Sequence, residues 1–165
     1  MRTTFLIFFT LTILGCSPGQ PLPKPIVIVP IATRSEIERV VAEAAREDRA
    51  IIFVHVGWAP MEPQKRLFLN FSNHWNRTNA KLPIAFYYLD FSIASRDYSP
   101  ITNLPGWSET HERLGRNPFH GNGEWAWILE GELVDIGPVW QASLADLDSR
   151  TSSAFRLQAD RSEEQ

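Results

Sequence analysis

The sequence predicts an α/β fold, a mixed sheet with helices covering both faces. Three observations carry that expectation. Apolar residues at helical spacing recur between short β-branched apolar runs. Two of those runs lie close together near the C-terminus, separated only by Glu130 and Gly131. The resulting order is helix, strand, helix, strand, connecting segment, hairpin, helix, the pattern of a sheet packed between two layers of helix.

The first helix is expected over 35–48, where Ile37, Val40, Val41, Ala44 and Ala45 form one apolar stripe and Ser35 with Glu38 makes a capping box. Residues 50–56 (AIIFVHV) form a continuous apolar, β-branched run, the signature of a strand buried on both faces. Gly57 and Pro60 end it. Pro63 suits a first helical turn, and Leu67, Phe68, Phe71 and Trp75 mark one face of a second helix running to about residue 76. A second buried strand follows at 84–91 (IAFYYLDF). The stretch 92–122 is rich in turn formers, with one short helix at 108–114. Runs 124–129 and 132–136 read as a hairpin. Ser143 and Asp146 start a last helix carrying Leu144, Leu147 and Phe155.

Residues 51–65 (IIFVHVGWAPMEPQK) resemble the strand, active-site turn and helix start of thioredoxin-like proteins, an apolar strand followed by Trp-Cys-x-x-Cys and a basic residue. Asp90 near the end of the second strand is similar to that family's Val-Asp strand end, and 125–134 (WAWILEGELV) to its last hairpin. The resemblance spans roughly residues 35–155. It implies a thioredoxin-like three-layer α/β/α sandwich with a mixed central sheet, in which Trp58, Ala59, Pro60, Met61 and Glu62 occupy the active-site turn.

The departures from the family pattern decide what chemistry is open. Matching Trp58 to the family tryptophan puts Ala59 in place of the nucleophilic cysteine and Glu62 in place of the resolving one. The family's buried acid would fall at Phe53, and its cis-proline near Gly123. Thioredoxin chemistry needs a thiolate stabilised at a helix N-terminus and a second thiol to resolve the mixed disulfide. The only cysteine of the chain is Cys16, outside this region. A redox-inactive domain is therefore expected, with no cofactor. Glu62 is accounted for by the preference for carboxylates in a first helical turn, against which stands a catalytic carboxylate.

Cys16 belongs to the N-terminal segment. Arg2 precedes an apolar run at 5–14, the length of a signal-peptide core and too short to span a bilayer as a helix. The run ends in Ile13-Leu14-Gly15-Cys16, which resembles the lipobox of bacterial lipoproteins, whose cysteine is acylated and becomes the new N-terminus. The expected organisation is a signal peptide at 1–15, the lipidated Cys16 and a Pro-rich tether at 16–32, a domain at 33–157 and a polar tail at 158–165. About 150 residues then remain after cleavage, enough for one domain. The expected location is the bacterial cell envelope, on the outer membrane or the periplasmic face.

A formal net charge of −3 with no basic run gives no footprint for nucleic acid. His55, His74, His111 and His120 are dispersed, none at the spacing that puts two imidazoles on one helical face. His55 is expected in a strand with a hydrogen-bonded ring and His74 on a helix surface. His111, Glu112 and His120 form a weak candidate metal set. Trp125 and Trp127 share one face of their strand, and the expected meaning is core packing. Trp58 and Trp107 lie in turn-rich segments and are the candidates for a peptide-binding groove. Two functional classes stay open: a binding or structural module of the envelope, with envelope proteins or peptides as partners, and a non-thiol enzyme or metal handler using Glu62 and the loop histidines.

Overall fold

The computed structural model describes residues 24, 26–29, 32–55, 61–79, 82–91, 97–115, 117, 119, 123–139 and 141–156. Ten elements follow in order: β1 (Ile26–Val29), α1 (Arg34–Ala44), β2 (Arg49–His55), α2 (Met61–Thr78), β3 (Ala85–Asp90), α3 (Ser99–Thr102), α4 (Trp107–Leu114), β4 (Glu124–Leu129), β5 (Glu132–Pro138) and α5 (Leu144–Arg156). The sheet order is β1-β3-β2-β4-β5. β1, β3 and β2 are parallel, and β4 joins β2 antiparallel, as β5 joins β4. The central strands β2, β3 and β4 are buried almost throughout, which is why they read as unbroken apolar runs rather than alternating ones.

Two cores lie on opposite faces of this sheet. On one, α1 sets Ile37, Val40, Val41 and Ala44 against Ile52, Val54, Leu89 and Ile128, with α3 adding Ile101. On the other, α2 and α5 set Phe68, Phe71, Trp75, Leu147 and Ala154 against Phe53, Phe86, Tyr88, Trp125 and Trp127. The expected core role of the tryptophan pair on β4 is met: both indoles are fully buried on the same face. The hairpin turns at Glu130 and Gly131, with φ values of 51° and 87°. Asparagine, aspartate and glycine are the usual occupants of that region, so Glu130 is held there by its surroundings. Its N–H donates to the Asp48 carbonyl at 3.0 Å, fixing the turn against the end of α1.

The structure corrects the sequence reading at several points. Folded backbone begins inside the segment assigned to the tether: β1 pairs in register with β3 from Ile26 opposite Phe86 to Val29 opposite Leu89. A four-residue β-branched strand at a sheet edge tolerates flanking prolines, whose missing donors would disrupt only a central strand. The capping box of α1 is Thr33 with Glu36, not Ser35 with Glu38: Glu36 accepts from the Thr33 backbone N–H at 2.8 Å, and the Glu36 N–H donates to Thr33 Oγ1 at 3.4 Å. The helix starts one residue earlier than expected, at Arg34, and ends at Ala44. The short helix α3 was not anticipated. On α5 the Ser143 and Asp146 pair caps as expected, at 2.9 Å and 3.2 Å, whereas Leu144 is exposed. Among the described residues, no helix is long and apolar enough to cross a membrane.

Candidate functional site

Parallel strands deliver their last residues to one edge of the sheet, and there β2 and β3 place His55 opposite Asp90. The backbone locks this edge: the Phe91 N–H donates to the His55 carbonyl at 2.9 Å, and the Ala32 N–H to the Asp90 carbonyl at 3.1 Å. His55 is only 4% exposed. Its Nε2 lies 3.6 Å from Asp90 Oδ2, close enough for charge interaction and too far for a direct hydrogen bond. Nδ1 is buried and has no hydrogen-bond partner among the described residues. The ring stacks on Tyr88 with centroids 5.9 Å apart, and Lys65, from the first turns of α2, holds its ammonium 5.8 Å from the Tyr88 centroid.

Burial lowers the His55 pKa, opposed by the Asp90 carboxylate and reinforced by the Lys65 cation. The imidazole is therefore neutral at pH 7, since the unperturbed value is about 6.5. The Tyr88 phenol is pushed up to about 12, chiefly by burial and then by Asp90 and Glu62. It stays protonated at any physiological pH. Among the described residues the edge thus offers a neutral imidazole, a neutral phenol, a carboxylate and an ammonium, and no thiol.

Phe53, one residue pair below His55, is fully buried. It packs against Tyr88, Phe68 and Trp125 with centroids at 5.2, 5.6 and 6.3 Å. Gly123, at the entrance to β4, has φ of 84°, and a Cβ there would lie 2.8 Å from Phe53 Cε2. The two positions at which the resemblance would put an acid and a proline thus touch each other, as a phenyl ring and a glycine. On the other face of β4, in register with Val54, Glu124 is a fully buried carboxylate.

Glu62 is exposed in the first turn of α2, where the free N–H groups favour a carboxylate. Met61 is the first residue of that helix. Trp58, Ala59 and Pro60 lie outside the described residues, as do Cys16 and His120. Trp107 is half-buried at the start of α4, its ring stacked between His111 at 5.4 Å and Phe119 at 5.8 Å. Phe119 stacks in turn on Tyr98 at 4.0 Å, nearly parallel. Much of the Trp107 ring is therefore committed to packing within the chain. His111 and Glu112 are both exposed on α4, and no group of three or more potential metal ligands occurs among the described residues. His74 is half-buried rather than on the surface, its Nε2 2.8 Å from Asp148 Oδ2, tying α2 to α5.

Sequence reasoning missed the pairing of His55 with Asp90 and the seating of Lys65. The signal was present in principle, because both residues close apolar runs that are parallel neighbours. Thirty-odd residues of intervening chain hid it.

A parallel trio ordered β1-β3-β2, an antiparallel hairpin on the β2 side, helices on both faces and a helix starting above the β2 edge define the architecture. The fold is thioredoxin-like. No family model matches the chain. No curated protein matches it either. Among solved structures it is similar to oxidised thioredoxin from Plasmodium falciparum, at 18% identity and a TM-score of 0.42, over 78% of this chain and 97% of that one. It is also similar to a chain from a complex of ferredoxin:thioredoxin reductase with thioredoxin f2, at 15% identity and a TM-score of 0.45, over 78% and 94%.

Proposed function

We propose that this chain is a lipid-anchored lipoprotein of the bacterial envelope whose thioredoxin-like domain is redox-inactive and works as a binding or structural module. The observation that carries the reading is the occupancy of the sheet edge. The residues at and beneath it are His55, Asp90, Lys65, Phe53 and Gly123, and the one sulfhydryl of the chain is Cys16 in the N-terminal segment. Thiol–disulfide exchange proceeds through attack by a thiolate, and a fold that holds none cannot carry out the step. The lipobox-like Ile13-Leu14-Gly15-Cys16 supports the anchor.

Two measurements test the two halves of this reading. The protein should give no reduction of insulin disulfides above the dithiothreitol background; turnover that rises with protein concentration overturns the redox half. Cells fed a clickable fatty acid should label the wild-type protein and leave Cys16→Ser unlabelled and unprocessed. Equal labelling of both forms overturns the anchor half. At ~0.8 kcal/mol per buried methylene, two acyl chains hold a protein at a membrane far more firmly than a single myristoyl chain does, so Cys16→Ser should also move the protein to the soluble fraction.

A further inference from the structure

The parallel trio gives the molecule two distinct poles, and the chain enters at one of them. β1, β2 and β3 all begin at one pole and end at the other, where His55 and Asp90 sit. Lys24, two residues before β1, is ion-paired with Glu47, just beyond the end of α1. The same pole carries the β4–β5 turn, bonded through the Glu130 N–H to Asp48, and the loop after α2, where Leu82 is 46% exposed. Each observation places the start of the folded chain at the pole opposite the candidate site.

We infer that the domain stands on its membrane by the Lys24, Glu47 and Leu82 pole and turns the His55 and Asp90 edge away from the bilayer that holds its anchor. This rests on the lipid-anchored reading of Cys16. The argument is one of reach. Lys24 lies eight residue steps beyond Cys16, and even fully extended, at ~3.3–3.6 Å per residue, these span at most about 29 Å. A folded body of this length has a radius of gyration of about 14 Å and is about 36 Å across, so a path from one pole round to the other runs to about 55 Å. The tether cannot carry the anchor to the site pole. It lets the domain tilt and keeps it from inverting.

Charge at the anchor pole is compatible with this placement. Arg46, Arg49 and Arg77 stand with Glu47, Asp48 and Glu132, a mixture that neither binds nor repels a lipid surface strongly.

Because Cys16 is the sole cysteine, the geometry can be tested apart from cellular acylation. The full chain is coupled at Cys16 to a maleimide lipid and reconstituted in phosphatidylcholine vesicles containing a headgroup nitroxide quencher. A fluorescent amino acid replaces Leu82 in one preparation and Glu62 in another, both exposed positions. Quenching should be several-fold stronger at position 82. A second pair, Arg77 at the anchor pole against Gln141 beyond the far end of β5, should give the same ordering and guards against a local effect of either label. Equal quenching at both poles, or stronger quenching at 62 and 141, overturns the inference. Failure of Cys16 to be acylated in cells would overturn the anchored reading and leave this ordering in the coupled protein unchanged.

Discussion

The two faces of the sheet are built from different material. Under α1 the core is aliphatic, dominated by isoleucine, valine and alanine. Under α2 and α5 it is aromatic: Phe53, Phe68, Phe71, Trp75, Phe86, Tyr88, Trp125 and Trp127 form a continuous set of ring contacts between 5.2 and 6.3 Å. The aromatic face is the one that runs beneath the candidate edge. Offset and edge-on ring pairs add about 0.5–1.5 kcal/mol each beyond the area they bury. The ground under the α2 helix start is therefore closely packed aromatic core.

Phe53→Asp is the substitution that strikes this contrast hardest. It places an acid where the resemblance would have one, inside a shell of Phe68, Tyr88 and Trp125 that offers no cation. An unpaired buried charge costs about 3–5 kcal/mol, and the lost ring packing adds to it, against a total stability of about 5–15 kcal/mol for a domain of this kind. The variant should unfold at markedly lower urea concentration or fail to fold. If the midpoint moves by less than the equivalent of about 1 kcal/mol, the ground under the edge accommodates an acid and the contrast between the two faces is false.

The two buried tryptophans of β4 refine the comparison within the aromatic face. Trp127 donates its indole N–H to Thr151 Oγ1 at 3.0 Å and lies 4.3 Å beneath the Arg150 guanidinium. Trp125 Nε1 is buried and has no hydrogen-bond partner among the described residues. Trp127→Phe leaves the buried Thr151 hydroxyl without its indole donor, at about 1–3 kcal/mol, and weakens the cation–π contact. Trp125→Phe removes an unsatisfied donor, which offsets part of the volume it loses. Denaturant melts of the two variants should therefore differ by at least about 1 kcal/mol, with Trp127→Phe the less stable. Equal losses would mean that packing alone sets the energetics of this face.

The elements legible in the sequence were those whose apolar period matched one local template. β2, β3 and the β4–β5 hairpin fell within a residue or two of their expected positions, because burial on both faces leaves a continuous run. β1 was not legible, since Ile26 to Val29 is short, edge-placed and set among prolines that argue for extended, unpaired chain. The capping box went to Thr33 and Glu36 because several Ser, Thr and Glu residues compete within one turn, and only the packing of Ile37 and Val40 fixes the phase. Of the expected active-site turn, Trp58, Ala59 and Pro60 lie outside the described residues. The meeting of His55 with Asp90, and of Phe53 with Gly123, was not legible, because it depends on strand register, which no local pattern encodes.

The smallest effect concerns His55, where the aromatic face ends and the edge begins. Its charged and titratable neighbours are Asp90 and Tyr88 on β3 and Lys65 on α2. Because the folded pKa lies below that of the unfolded chain, the unfolded state takes up a proton first as the pH falls. The stability held above the unfolded value of about 6.5 is then lost progressively as the pH drops through the lower, folded value. His55→Phe keeps a ring against Tyr88 and removes the proton. The difference in stability between wild type and variant should therefore change between pH 7.5 and pH 5, with the wild type losing ground toward acid. His74, paired with Asp148, is present in both proteins, so its own titration cancels in the difference. A difference that stays flat across this range would mean that the Asp90 carboxylate fully compensates the burial of the imidazole, and the lowered pKa would be wrong.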